Sequence, residues 1–355
     1  MATRRFLCCI PVLVSASVLL SCGSGSSSKV QPQPPDIYVA GFEANGSNMN
    51  IAKYWKNGIP VTIGAGTYGS DADSIFVSGN DVYVAGREGS PNGDVAKYWK
   101  NGVGVALTAG AQNSVAIGLS VFVDGNGVYV AGYDRGVAMY WKNGVQVALT
   151  DGTNPAQAWS IVVSGTDVYV AGWEYKTTQI DPTHTYTTPV AKYWKNDVPT
   201  ELSDPLAFGI AQSIFLSGND IYVAGNTCQE NQPPGCDMAT YWKNGTPVVL
   251  TNQTPTAASS IFVSGADVYV AGNDLTGNGT AIADLWKDGT LTQLSGGGYT
   301  AANQVVVSGT DVYVAGAGIN GQGQEVAGYW KNGVFVPVTD GTHFASGFAM
   351  TVVQH

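Results

Sequence analysis

The sequence predicts an all-β protein, a ring of seven four-stranded antiparallel blades. Three observations predict it. A strand phrase of the type Asp-x-Tyr-Val-Ala-Gly recurs, with its tyrosine at Tyr38, Tyr83, Tyr129, Tyr169, Tyr222, Tyr269 and Tyr313. A hairpin phrase of the type Tyr-Trp-Lys-Asn-Gly follows each one, with its tryptophan at Trp55, Trp99, Trp141, Trp194, Trp242, Trp286 and Trp330. The C-terminal segment supplies a strand that the first unit lacks. Spacings of 40 to 53 residues mean one supersecondary unit repeated, whose faces are buried only by stacking on its neighbours.

Residues 1–21 precede the fold. Arg4 and Arg5 stand before an apolar run from Phe6 to Leu20, the shape of a signal peptide and too short for a membrane span, which takes about 20 residues. Leu19-Leu20-Ser21-Cys22-Gly23 resembles a bacterial lipoprotein lipobox. That resemblance implies that Cys22 is lipidated and becomes the mature N-terminus, anchoring the protein to a membrane, and that Gly23 after it favours the outer membrane of the cell envelope. An ordinary secretory signal with a coincidental cysteine is the other reading. Residues 22–35 then comprise the lipidated cysteine and a Gly/Ser- then Pro-rich stretch that cannot build a core and suits a flexible tether. Residues 36–355 are expected as one folded domain, since a closed repeat array is routinely one domain at this length.

Each unit resolves into four short strands, A to D, read most clearly between Ser74 and Thr108. Ser74–Val77 and Val82–Ala85 are joined by a Ser-Gly-Asn-Asp turn, Val95–Trp99 and Val103–Thr108 by Lys-Asn-Gly. These are strand and tight-turn signals. The B–C link shrinks to Tyr133-Asp134-Arg135-Gly136, whereas the D–A segment is always long enough to pass from the outer edge of one sheet to the inner edge of the next. Radial sheets so connected form a β-propeller. The first unit begins already in strand B at Asp36, and Met350–Val353 is its missing strand A. The two ends zip one blade shut, which leaves no open sheet edge.

The repeated residues are expected to be structural. The Tyr-Trp pairs suit packing between blades. The acidic residue of the A–B turn, present as Asp81, Asp167, Asp220, Asp267 and Asp311 and replaced by Gly127, suits turn hydrogen bonding. Ser74, Ser120, Ser160, Ser213 and Ser260 begin strand A, with Gln304 and Ala349 completing the ring; they suit hydrogen bonds between blades near the axis, with hydroxyls around a water-filled channel as the alternative.

Composition excludes some classes of function. Without Arg4 and Arg5 the chain carries 14 basic and 26 acidic side chains, about −12, with no basic stripe to replace the counterions of a nucleic acid. Cys8 and Cys9 leave with the signal and Cys22 is taken by lipid, so Cys228 and Cys236 remain, as a disulfide that staples a local loop in an oxidising compartment. Two free thiols or a metal pair are the alternatives, but no histidine stands nearby to complete a zinc site. No cofactor and no metal is expected.

Antiparallel connectivity puts the short A–B and C–D turns on one face and the variable B–C and D–A segments on the other, where a site is expected. Blade 4 inserts a loop from Trp173 to Pro189, neighbour to the cysteine-bearing loop of blade 5. Its Trp173, Tyr175, His184 and Tyr186 offer aromatic faces and a polar tip, the materials of a sugar or peptide contact; a decorated surface loop that packs on itself is the alternative. Nearer the axis, the residues just before Ser74 and its equivalents are expected to line the channel mouth. They are Asp73, Leu119, Trp159, Gln212, Ser259, Asn303 and Phe348, a set able to hold a small ligand unless Trp159 and Phe348 plug the hole.

Catalytic signatures are sparse. Arg87 and Arg135 are the only arginines after signal removal, too few for a sialidase-like carboxylate clamp. His184, His343 and His355 are far apart in the chain, and no repeated carboxylate pair suits glycoside chemistry. The repeats resemble the YVAG/YWKNG-type propellers of exported bacterial proteins, largely uncharacterised lipoproteins, from Asp36 to the C-terminus. That resemblance implies a fold and no established activity. The expected function is a surface-anchored, monomeric, non-catalytic binding or scaffold propeller that recognises a glycan or protein through its variable-loop face. A polysaccharide-acting hydrolase or lyase with a site at the channel mouth, and a purely structural envelope protein, are the alternatives.

Overall fold

The computed structural model describes residues 33–228, 237–251, 255–275, 281–294 and 299–355. Its compact unit Pro34–His355 contains seven antiparallel sheets of four strands each, the β-propeller that the repeats predict. In blade 2 the strands are Ser70–Ser78, Asp81–Ser90, Gly93–Lys100 and Val103–Ala106. Strands A to C are longer than their apolar runs suggest, because they extend into polar residues on the variable face. Strand Ala345–Val353 pairs with Asp36–Ala44, with Ile37 opposite Val352 and Tyr38 opposite Thr351. The C-terminal strand therefore closes blade 1, as the register of the repeats requires. Each sheet still ends in a short outer strand such as the exposed Val103–Ala106, so the expectation of no open sheet edge fails at the rim.

The core lies between blades. Each apolar cluster joins two neighbours: Tyr83 and Ala85 of blade 2 pack with Val121, Val130 and Trp141 of blade 3, and Val39 and Trp55 of blade 1 pack with Tyr313 and Ala315 of blade 7 across the seam. The seven repeat tryptophans are no more than 2% exposed, so their conservation among repeats reflects packing.

The hairpin phrase ties the two turns of each blade together. In blade 2, Asn101 at φ 52° and Gly102 at φ 81° form the left-handed pair that a two-residue hairpin needs. Asn101 Oδ1 accepts from the Val82 amide at 2.9 Å and its Nδ2 donates to Asp81 Oδ1 at 2.7 Å. Lys100 Nζ lies 2.7 Å from Asp81 Oδ2 and 5.3 Å from the centre of the Tyr83 ring. Asp-x-Tyr and Lys-Asn-Gly thus meet in one network, and the acidic residue links the A–B turn to the C–D turn rather than only bracing its own. Blade 3 has Gly127 in place of the acid, and its Lys142 keeps the contact over Tyr129.

Blade 4 departs from the expected loop. Residues 173–189 continue a β-ribbon, with strands Asp167–Asp181 and His184–Lys195 paired from Tyr169 opposite Lys195 out to Gln179 opposite Thr185. The physical reason is β propensity: threonine, tyrosine and isoleucine dominate the segment, and Asp181-Pro182 starts a tight turn, in which Asp181 Oδ1 accepts from the Thr183 amide at 2.8 Å.

Candidate functional site

Every strand A carries a β-bulge at the same place. In blade 2, Ala72 faces Gly86 and Ser74 faces Ala85, which leaves Asp73 unpaired; in blade 4, Ala158 faces Gly172 and Ser160 faces Ala171, which leaves Trp159 unpaired. The same skip singles out Leu119, Gln212, Ser259, Asn303 and Phe348. A bulge re-aims side chains, and here it turns both the extra residue and its successor toward the axis. The glycine of Tyr-Val-Ala-Gly makes the bulge fit. A Cβ on Gly172 would run into the Gln157 carbonyl oxygen, and one on Gly86 into that of Asp71, far closer than atoms can approach. Glycine in a strand signals such an approach, and this repeated glycine is the trace that the bulge leaves in the sequence.

The seven bulge residues and their seven successors line one central cavity of 360 Å³. Asp73, Trp159, Gln212, Asn303 and Phe348 thus meet where they were expected. Trp159 and Phe348 leave the cavity open, because both are held at its wall. Trp159 Nε1 donates to Gln157 Oε1 at 2.9 Å, and the Phe348 ring lies 5.5 Å from that of Phe42. The successor serines do bridge blades: Ser74 Oγ accepts from the Val121 amide at 3.1 Å, Ser120 Oγ from Ile161 at 3.3 Å and Ser160 Oγ from Ile214 at 3.2 Å. Ser213, Ser260 and Gln304 make the equivalent bonds, and Ala349 has no oxygen with which to close the circle.

A second ring, missed in the sequence, stands behind the first. It consists of the residue after each Tyr-Val-Ala-Gly, and in blades 1, 5 and 6 it braces the bulge residue. Phe42 holds Phe348. Asn226 Oδ1 accepts from Gln212 Nε2 at 3.2 Å, and Asn273 Nδ2 donates to Ser259 Oγ at 3.3 Å. In blade 2 that residue is Arg87, which pairs with Asp71 at 2.5 Å and with Asp94 at 3.0 Å. Its variability at a fixed offset from an invariant motif was the available signal.

Asp73 is the only ionisable side chain among the residues lining the cavity. Its Oδ2 is buried without a hydrogen-bond partner. Burial first, then the neighbouring Asp71 carboxylate, push its pKa up to about 8, against the opposing pull of Arg87. Asp73 therefore carries its proton at neutral pH.

The blade 4 aromatics do not form one cluster. Trp173 and Tyr175 make an edge-on pair with ring centres 5.4 Å apart, and they share the parity of Tyr169 and Ala171, which face blade 5. Tyr186 stands opposite Thr178, on the other face of the ribbon. His184 lies at the exposed tip, its Nδ1 within 2.9 Å of Asp181 Oδ1. Cys228 is disulfide-bonded; Cys236, like Cys22, lies outside the described residues. No group of three or more metal-ligating side chains occurs among the described residues, and no helix among them is long and apolar enough to cross a membrane.

No family model and no curated relative matches the chain. Among solved structures, the β-propeller domain of the trilobed protease from Pyrococcus furiosus, which has an open velcro topology, is similar with a TM-score of 0.52 at 10% identity, covering 88% of this chain and 98% of that one. The tricorn protease is similar with a TM-score of 0.50 at 9% identity over 90% of this chain; the match spans 36% of the tricorn chain. Both likenesses concern the fold, and the open velcro of the trilobed protease domain differs from the seam here, where strand Ala345–Val353 closes blade 1.

Proposed function

We propose that this is a surface-anchored, non-catalytic binding propeller that holds a glycan or protein partner on its variable face, at the axial cavity and the adjoining blade 4 ribbon. One observation carries the reading: equivalent backbone bulges present seven different side chains to a single open cavity, while the opposite face repeats one turn network. A rigid ring with divergent residues at one mouth is the arrangement of a binding site on a scaffold.

The alternative of a polysaccharide hydrolase or lyase draws on Asp73, because a carboxyl that keeps its proton at neutral pH suits a general acid. Glycoside cleavage pairs that acid with a second carboxylate, and no other acid is among the cavity-lining residues. This favours binding over catalysis. The anchor is Cys22: intact mass of membrane-extracted protein is expected to show an acylated N-terminal cysteine, and Cys22→Ala to abolish it.

The test of binding is a glycan array and an envelope-extract pull-down with the full chain in detergent. Binding is expected, and it is expected to weaken in a variant whose ribbon from Lys176 to Thr188 is replaced by Asn-Gly, or in Trp159→Ala. No binding, or binding indifferent to both changes, contradicts the reading.

A further inference from the structure

Going round the ring, the cavity has two unlike halves. Blades 1 to 4 contribute Phe348, Asp73, Leu119 and Trp159, and blades 5 to 7 contribute Gln212, Ser259 and Asn303. One side is aromatic and aliphatic, with a single carboxyl set into it, and the other is neutral and polar. The polar side chains are already oriented: Gln212 donates to Asn226, Ser259 accepts from Asn273, and Asn303 Nδ2 donates to the Gly347 carbonyl at 2.8 Å. Those bonds use one group of each side chain, and among the described residues no protein partner takes Gln212 Oε1, Asn303 Oδ1 or the Ser259 hydroxyl hydrogen.

We propose that the cavity holds one neutral sugar unit, its apolar ring face against the Trp159 and Phe348 side and its hydroxyls bonded by Gln212, Ser259, Asn303 and Asp73. This deepens the binding function proposed above and rests on it. A volume of 360 Å³ is at the small end of ligand pockets, about 300–1,000 Å³, and suits a monosaccharide or a small disaccharide. A pyranose is itself two-sided, with a C–H face that packs on an aromatic ring and an edge of hydroxyls that both donate and accept. An anion finds no cation in the lining, since the Arg87 guanidinium is engaged by Asp71 and Asp94.

The charge state of Asp73 is set by the groups around it. Asp71 on its own strand raises its pKa, Arg87 on the neighbouring strand opposes this, Asp94 holds Arg87 from the third strand, and Tyr133 of blade 3 lies within electrostatic range of Asp73 and Arg87. In its neutral form Asp73 donates a hydrogen bond to a sugar hydroxyl; once ionised it can only accept, at the cost of a buried charge. A sugar hydroxyl can pair with either form, so it is the cost of a charge in a cavity from which the sugar displaces water that favours binding with Asp73 protonated.

The experiment is saturation-transfer NMR and titration of the full chain in detergent with glucose, galactose, N-acetylglucosamine, maltose and lactose. Ethanolamine is the cationic probe, glucuronate the anionic one and N-acetyl-dialanine amide the peptide one. At least one neutral sugar is expected to bind. Its affinity is expected to be greater at pH 6 than at pH 9, falling by at most about tenfold per pH unit once Asp73 ionises. Trp159→Ala is expected to weaken it at least about tenfold. In Asp73→Asn, the affinity at pH 7 is expected to fall severalfold and its pH dependence to vanish, which separates the carboxyl's role from a loss of folding. Preference for the amine with affinity rising above pH 8, preference for glucuronate or the peptide, or no sugar binding would overturn the proposal. Binding by the array that persists in both cavity variants but is lost with the ribbon would overturn it while leaving the broader binding function standing; absence of binding in every assay would remove both.

Discussion

The two ends of each blade follow opposite rules. At the turn end, Asp81, Tyr83, Lys100 and Asn101 form a network that recurs almost unchanged around the ring, with hydrogen bonds of 2.7–2.9 Å in blade 2. At the cavity end the backbone is just as regular, with the same bulge seven times, but its side chains are Asp73, Leu119, Trp159, Gln212, Ser259, Asn303 and Phe348, no two alike. A bulge tolerates all of these, so folding does not choose among them. Repetition at one end therefore reports a structural demand, and divergence at equivalent positions of the other reports freedom that a binding site can use.

The largest loss of stability is expected from the core that both ends share. Trp194 is 1% exposed, packed between blades 3 and 4 with Val168, Val170 and Tyr140. Trp194→Ala is expected to cost about 3–5 kcal/mol in chemical denaturation, with any ligand affinity of the folded fraction unchanged. A smaller loss follows from Gly172→Ala, whose Cβ meets the Gln157 carbonyl; about 1–3 kcal/mol is expected. Because the bulge must shift, Trp159 moves with it, so ligand affinity is expected to fall as well. A change of less than about 0.5 kcal/mol would show that the glycine is not needed for the bulge.

The smallest effects lie in the pH dependence of the two ends. Asp36, Asp81, Asp167 and Asp311 are held below the usual carboxylate range by hydrogen bonds from the hairpin lysine and asparagine. Their stabilisation is present above pH 4 and lost as the pH falls through their folded values. Asp73 has the opposite sign. Raised to about 8 when folded, it binds a proton that the unfolded chain has released, so it costs nothing below pH 4 and progressively more stability up to about pH 8. Asp284 behaves likewise: burial and then the Asp274 carboxyl raise it to about 7, at a position where blades 1, 2 and 4 place Lys53, Lys97 and Lys192 against Glu43, Glu88 and Glu174. Thermal melts between pH 4 and 9 are expected to show Asp73→Asn more stable than the parent at pH 8 and equal to it at pH 4. Equal melting at both pH values would mean that Asp73 is not desolvated.

Much of the fold was legible because repeats act as an alignment of the chain against itself. The tryptophans, the closing strand and the ring of bulge residues could all be placed by counting from Ser74 and its equivalents. Two features resisted for physical reasons. The bulge is a backbone event, and its trace is the glycine of Tyr-Val-Ala-Gly, which reads equally well as a turn residue until its close approach to a carbonyl is seen. The blade 4 insertion reads as a loop because it follows no repeat, and its pairing, which sends Trp173 and Tyr186 to opposite faces, depends on cross-strand register. The braces Phe42, Asn226 and Asn273 act only through contacts between strands, which a linear reading does not display.

Under the proposed function the cavity end binds and the turn end only folds. The most direct measurement compares Trp159→Ala with Asn101→Ala, each assayed for stability by denaturation and for binding to the most strongly bound array glycan. The expected result is a double dissociation. Trp159→Ala loses at least about tenfold in affinity with its fold intact. Asn101→Ala loses about 1 kcal/mol of stability and binds as before. Loss of binding in Asn101→Ala, with Trp159→Ala unaffected, would place the site on the wrong face of the ring.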